Sequence, residues 1–397
     1  MSLLLRLCLL GGILFPEFQI KNIEDYISQD TKLVIDADGI CYMPASIIDE
    51  MYIEVLHKSS GNVKEFKNIT EFKGRTKAVS DDSWLGSLNV SRIAKGQQPF
   101  SLEDFEVTPK IREKMKIDIA TSAIDNHISM ICEKLKIPVE RTILLLGGKE
   151  NFRLDLPLPT QYKSDRNRDL TPTRLKQVRQ YLIDNYNVEI TEGIESDDKL
   201  EIYGFKGYLD YLKSGKFSYI VGSNDKDARA TPSLLFDWSR EDGQFKQEFP
   251  WLIPDSSKSV GAGEFNKGKG KYLGFINYCY QLLAGDTSDT YAPHKHLPRL
   301  PKEQQMGETK FFKLLMSCKD PKELLQCVVD TYVMWFPEGT QYVDWKGNEQ
   351  NLSTLEWLEL QWQCVYMKRT LNDPLTIKML FDKFSVDYSK TLVKKEK

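Results

Sequence analysis

The chain reads as an α/β protein, a parallel sheet flanked by helices with a helical C-terminal part. Three observations carry this. Short apolar runs rich in β-branched residues recur at residues 32–35, 142–146, 188–191 and 217–221. Amphipathic stretches of helical period lie between them. From about residue 270 onward only the helical period remains. Strands that are apolar on both faces and alternate with helices belong to a parallel sheet covered on both sides.

Residues 1–30 form an N-terminal extension. Residues 2–15 are mostly Leu, Gly and Ile with a single Arg6, a superficial likeness to a signal peptide. The run is too short to span a bilayer. It reads either as a true signal or as an apolar helix packed on the domain, and the cysteine pattern favours the second. The first strand, 32–35, ends in Asp36-Ala37-Asp38-Gly39. Residues 51–110 are polar, with a Ser59-Ser60-Gly61-Asn62 turn signal between short alternating segments, so an insertion containing a β-hairpin is expected there. In 116–136, Ile117, Ala120, Ile124, Ile128, Ile131 and Leu135 recur at helical spacing, and Leu175, Val178 and Leu182 do so in 173–186. The strand at 142–146 runs into Gly147-Gly148. Further helices are expected at 271–284, 308–318, 321–336 and 354–369, and the terminal Lys-Lys-Glu-Lys as a frayed tail. The expected organisation is a catalytic α/β domain over 31–290, with 51–110 inserted in it, and a helical region over 291–397.

Apolar and charged fractions are ordinary for a globular protein, which excludes disordered and fibrous classes. The net charge is −3, so any surface that meets phosphate must be a local one. The seven cysteines are scattered with no CxxC, which argues against a zinc ribbon or disulfide framework and suits a reducing cytoplasm. No membrane association is expected.

The acids are the informative feature. Asp36 and Asp38 follow the first strand. Glu195, Asp197 and Asp198 follow the strand at 188–191 and open a helix. Asp225 and Asp227 follow the strand at 217–221. Ligands of an open parallel sheet bind outside the carboxyl ends of its strands, near a switch in strand order, so three clusters far apart in sequence would converge. Converging ionised carboxylates repel and are costly to desolvate unless protons or divalent cations compensate them. An all-oxygen donor set selects magnesium or manganese over zinc. Each cluster alone has a blander reading, Asp197 as a helix cap and Asp225-Lys226-Asp227 as a solvated turn. Three at successive strand ends argue for a site.

These residues resemble a known family. Asp36 in Leu33-Val34-Ile35-Asp36, Glu195-Ser196-Asp197-Asp198, Ser223-Asn224-Asp225-Lys226-Asp227 and Gly285-Asp286-Thr287-Ser288-Asp289 look like the successive acidic motifs of the 5′ nucleases. That group comprises flap endonucleases, polymerase-associated 5′ exonucleases and phage exonucleases. Tyr162-Lys163-Ser164-Asp165-Arg166 resembles the basic element of the same group. The likeness covers about residues 31–290 and is nearest to the short phage 5′→3′ exonucleases. It implies a PIN-like fold and hydrolysis of duplex DNA or an RNA/DNA hybrid from a 5′ end, with flap cutting an open possibility. It implies two Mg2+ ions, for which Mn2+ can substitute. Asp36, Glu195, Asp197 and Asp225 match the first metal site, with Asp198 and Asp227 in or next to it. Asp286 and Asp289 match the second. Lys163 matches the lysine that meets the scissile phosphate, Arg166 its basic companion, and Asp38 has a counterpart in the phage enzymes alone. A phage origin, and so a host cytoplasm, is a further implication. A PIN-type ribonuclease and a non-catalytic DNA-binding member of the fold stay open as alternatives.

Two departures stand out. Gly148 occupies a position where many relatives carry an Asp, so that either Glu150 reaches in or water fills the place. After Asp289 the family's glycine-rich turn gives way to a Pro- and His-containing stretch, in which His294 and His296 read as surface residues. The cations Lys163, Arg166, Arg168, Arg174, Lys176 and Arg179 face only Asp165 and Asp169, a bias that suits phosphate, although 174–179 also reads as a solvated helix face. Tyr162 reads as a base-stacking residue or as core. Lys267, Lys269 and Lys271, interleaved with glycine, form a basic loop able to hold DNA backbone without reading sequence.

Overall fold

The computed structural model describes residues 15–293, 300–302 and 304–394. The apolar 2–14 stretch, His294, His296 and the last three residues lie outside these. In chain order come β1 (Ile27–Asp36), α1 (Asp38–Ile47), β2 (Asp49–His57), β3 (Val63–Phe66), α2 (Ile69–Lys73), α3 (Trp84–Ala94), β4 (Phe105–Glu113), α4 (Ile117–Leu135) and β5 (Thr142–Asn151). They are followed by α5 (Leu175–Asn185), β6 (Val188–Gly193), α6 (Ser196–Ser214), β7 (Phe217–Gly222), β8 (Ser233–Phe236), β9 (Arg240–Glu241), β10 (Gln244–Phe245) and β11 (Trp251–Ile253). The chain closes with β12 (Ala262–Asn266), β13 (Lys269–Leu273), α7 (Phe275–Ala284), α8 (Glu308–Met316), α9 (Pro321–Trp335), β14 (Thr340–Val343), β15 (Glu349–Leu352), α10 (Thr354–Val365) and α11 (Ile377–Phe384).

The chain forms two compact units, residues 1–38, 128–166 and 186–397, and residues 39–127 and 167–185. The larger holds a six-stranded sheet in the order β11-β8-β7-β1-β5-β6. Its pairings are parallel except for β11, which runs antiparallel to β8 at the edge. The parallel sheet flanked by helices is thus as the sequence predicts. The antiparallel β11 was not legible: three residues are too few to show a period. Leu33, Val34 and Ile35 of β1 and Leu144, Leu145 and Leu146 of β5 are fully buried, the expected pattern for strands covered on both faces. The chain leaves β1 for β5 and β6 on one side and returns to β7 on the other. The order therefore switches at β1, whose last residue is Asp36.

Helix α7 is buried nearly all round and is central to a second core that includes residues of α8, α9, α10 and α11 and the segment from Leu156 to Tyr162. The expectation of helix from residue 271 fails for its first residues: Lys271 to Leu273 are strand, and Gly274 at φ 90° separates them from α7. The β14–β15 hairpin likewise interrupts the helical C-terminal part. Among the described residues no helix is long and apolar enough to cross a membrane.

The smaller unit contains an antiparallel sheet in the order β3-β2-β4 over Ile53, Val55, Phe66, Phe72, Leu85 and Phe105. Its β2–β3 turn is the Ser-Ser-Gly-Asn signal, closed where the His57 N–H donates to Asn62 O at 2.8 Å. Helix α5 belongs here, tied to the same unit by Tyr181 Oη donating to Asp125 Oδ2 at 2.7 Å.

Candidate metal centre

All eight carboxylates expected as metal ligands lie in the larger unit. Asp36 closes β1 and is buried. Its Oδ1 accepts the Asp38 N–H at 3.3 Å. Asp38 Oδ2 in turn accepts the Gly147 N–H at 2.9 Å and Ser196 Oγ at 3.2 Å, fastening the end of β1 to β5 and to the start of α6. Burial, followed by the charges of Asp38 and Asp225, raises Asp36 to about 7. Asp197 lies near by on the first turn of α6. Burial and the charges of Asp36, Asp225 and Glu195 push its carboxyl well above the usual range. Its buried Oδ1 has no hydrogen-bond partner.

The helix-cap reading belongs to the next residue. Asp198 Oδ2 accepts the Glu195 N–H at 3.1 Å, one of the orphan donors of a helix start. Asp198 is also held by Arg153, at 2.6 Å to Oδ2 and 3.0 Å to Oδ1, and its Oδ1 accepts the Lys368 N–H at 3.0 Å. Although it is fully buried, the Arg153 guanidinium keeps its carboxyl below the ordinary range. Of the two places the resemblance allows Asp198, in the first metal site or next to it, the second fits, because both its oxygens are engaged by a buried arginine and backbone.

A second group forms beyond β7. Asp225 and Asp227 sit in a tight loop in which the Asp225 N–H donates to Ser223 Oγ at 3.0 Å and the Asp227 N–H to Asp225 Oδ1 at 3.1 Å. Helix α7 braces that loop: Asn277 Nδ2 donates to Lys226 O at 3.0 Å, and Gln281 Nε2 donates to Asp227 Oδ1. The chain leaving α7 folds into a turn closed by mutual backbone bonds of Asp286 and Tyr291 at 2.8 and 3.0 Å. Asp227, Asp286 and Asp289 thereby bring carboxylate oxygens within 4.8 Å of one another, among the described residues the only such group of three. Asp36, Asp197 and Asp225 interact but stand farther apart. Burial and Asp225 push the Asp227 carboxyl up. Burial would do the same to Asp286, but the Lys226 ammonium, 2.6 Å away, holds it down together with Ser288.

Lys163 links the two groups. Its Nζ contacts Glu195 Oε1 and lies 3.7 Å from Asp289 Oδ1, while its N–H donates to Asp289 O at 3.0 Å. Its backbone is left-handed, with φ 60°. Arg166 is more exposed and reaches Asp289 Oδ1 at 3.0 Å. Tyr162 is buried, and its hydroxyl donates to Asp289 Oδ2 at 2.8 Å, with Glu195 Oε2 at 3.2 Å. Its ring stacks on Tyr291. Of the two readings of Tyr162, base stacking or core, the enclosed ring fits the second: it is a buried brace between two carboxylates.

Arg168 and Arg174 lie in the smaller unit. Arg174 pairs with Glu113 at 2.6 Å, a partly exposed ion pair between α5's start and β4. Lys267 and Lys269 lie at the exposed tip of the β12–β13 hairpin. Gly148 has a local explanation. A Cβ there would stand 2.1 Å from Thr191 O, because β5 continues past Gly147 alongside β6. Glu150 is exposed. Arg153, Lys226, Gln281 and Ser288 were not foreseen as site residues. Lys226 and Ser288 carried a signal, each standing between two motif acids.

The donor set fits a hard divalent cation. It is all carboxylate oxygen, it includes a buried oxygen without a partner, and three of its acids are already gathered. Two carboxylates about 4–5 Å apart repel by roughly 3–4 kcal/mol at an effective dielectric near 20. Lys163, Lys226 and Arg166 offset only part of that.

No family model matches the chain, and no curated protein matches it. Among solved structures it is similar to the T5 5′-exonuclease with zinc bound, at 15% identity over 53% of this chain and 71% of that one, with a TM-score of 0.33. It is similar to the T5 D15 protein co-crystallised with metal ions, at 13% identity over 67% and 90%, with a TM-score of 0.35. A third is the bacteriophage T5 D15 flap endonuclease with DNA and metal ions, at 15% identity over 54% and 84%, with a TM-score of 0.28. Similarities of this strength do not identify the chain.

Proposed function

We propose that this protein is a metal-dependent nuclease that hydrolyses phosphodiester bonds of duplex DNA or an RNA/DNA hybrid from a 5′ end. The observation that carries the reading is the lysine-bridged pair of carboxylate groups at the carboxyl ends of β1 and β7 and the start of α6. Asp36, Glu195, Asp197 and Asp225 would hold one Mg2+, and Asp227, Asp286 and Asp289 a second, with Mn2+ able to replace either. Such ions activate water and stabilise the attacking and leaving oxygens of an in-line displacement.

The protein's own groups supply the rest. Lys163 Nζ lies between the groups, where it can approach a phosphoryl oxygen and offset the charge that builds there. Arg166 stands more exposed on the same segment and suits a neighbouring phosphate. Tyr162 and Arg153 orient Glu195 from beneath, at 3.2 and 3.3 Å from Oε2. Hydrolysis at a 5′ end would give short products bearing 5′ phosphates.

The test uses a duplex labelled at one 5′ end, with magnesium or with chelator, beside Asp225→Asn. Short labelled products from the wild type with magnesium alone are expected. No release with magnesium or manganese, together with binding in calcium, would replace this reading by a DNA-binding one. A matched RNA duplex in the same assay separates it from a ribonuclease.

A further inference from the structure

We infer that the β12–β13 hairpin is a second DNA contact, a basic ribbon that holds the phosphate backbone of the duplex at a distance from the cut. The inference rests on the nuclease reading above and adds to it how the substrate is gripped.

Strand register puts Asn266 opposite Lys269 and Glu264 opposite Lys271. Phe265 and Tyr272 therefore point to one face and Lys269 and Lys271 to the other, since side chains alternate along a strand. The aromatic face is packed: Phe265 lies 5.2 Å from Phe312, and Tyr272 stacks at 4.4 Å on Tyr280. Gly263 and Gly270 make room for the Tyr272 ring, from which their Cβ atoms would be 3.1 and 2.7 Å away. The ribbon is thus fixed to α7 and α8; on its other face Leu273 is buried, while Lys269 and Lys271 are exposed. Lys269 and Lys271 are about 7 Å apart along the strand.

The turn adds a third cation. Lys267 and Gly268, at φ 48° and 79°, form a two-residue loop of the kind that favours Asn-Gly. A lysine there is held in a left-handed backbone conformation that residues with a Cβ rarely adopt. Two carboxylates adjoin the ribbon, Glu264 opposite Lys271 and Glu308 at the Gly270 N–H, and both accept hydrogen bonds. Glu264 Oε1 accepts the Phe15 N–H at 2.8 Å, and Glu308 binds Tyr280 Oη at 2.7 Å and the Gly270 N–H at 3.3 Å. Three exposed lysines on a rigid support in a protein of net charge −3 suit a polyanion. Nothing on the ribbon is built to read base edges.

The hairpin joins the acidic centre through α7, ten residues or roughly 15 Å long, and the ribbon adds roughly 13–16 Å. Because Tyr272 stacks on Tyr280 part-way along α7, these lengths set only an upper limit of about 30 Å between the tip and Asp286, no more than about nine base pairs at about 3.4 Å each.

The experiment measures binding in calcium of duplexes extending about four or about twelve base pairs beyond the 5′ end, for wild type and Lys267→Gln/Lys269→Gln/Lys271→Gln. For the long duplex the variant is expected to bind about tenfold or more weakly, with a salt slope smaller by about two to three. For the short duplex the loss should be smaller than for the long one. Equal affinity and slope for the long duplex would overturn the ribbon and leave the nuclease reading standing. Equal weakening on both lengths would also overturn it. A wild type that neither binds nor cuts DNA would overturn both.

Discussion

At the residue scale the site is a balance of charges. Lys163→Ala should lower turnover about a hundredfold or more, with less effect on metal affinity, if the lysine offsets charge on the substrate as proposed. A metal affinity that changes as much as turnover would contradict that role. Asp36 gives a pH prediction. Its carboxyl is raised to about 7, so between about pH 4 and 7 the native state holds a proton that the unfolded chain has released. Stability of the metal-free protein should therefore fall as pH rises through that window, and saturating magnesium should remove the fall. A thermal midpoint that rises from pH 5 to pH 8 without metal would refute it. Residue identity was legible in sequence where it followed strand ends, as at Asp36 and Asp225. It was undecided at Asp198 and Tyr162, because spacing cannot tell a side chain facing a cavity from one enclosed in the core or claimed by a buried arginine 45 residues away.

At the scale of elements, loops and helix starts at the carboxyl ends of the strands are tied together by specific bonds. The Arg153–Asp198 pair ties the segment after β5 to the start of α6, with both side chains fully buried. Arg153→Ala leaves a buried carboxylate unpaired, so it should cost about 3–5 kcal/mol in denaturant midpoint, and adding Asp198→Ala should restore part of that. A double variant no more stable than the single one would show that the pair carries no such charge penalty. Gly148→Asp should destabilise the β5–β6 pairing and not raise turnover, since the carbonyl of Thr191 fills the Cβ position. The periods at 116–136 and 173–186 were clear because α4 and α5 each bury one stripe. Strands of two to five residues, such as β11 and the β12–β13 ribbon, are too short to declare a period and depend on tertiary pairing.

At the scale of the molecule, sequence gave away the parallel sheet and the place where its acids meet, because the strand-end rule is topological and needs no coordinates. It did not reveal how the C-terminal helices are joined to that sheet. They pack on α7, whose Asn277 and Gln281 hold the Asp225–Asp227 loop, so one core supports the second acid group. Changes in that core far from any carboxylate are expected to weaken metal binding through this helix.

The central claim is that two acid groups hold two ions side by side. The most direct measurement is anomalous scattering from crystals of the protein grown with manganese. Two peaks are expected, one against Asp36, Glu195, Asp197 and Asp225 and one against Asp227, Asp286 and Asp289, roughly 3.5–4 Å apart. No manganese at either group, or ions bound only elsewhere on the protein, would contradict it.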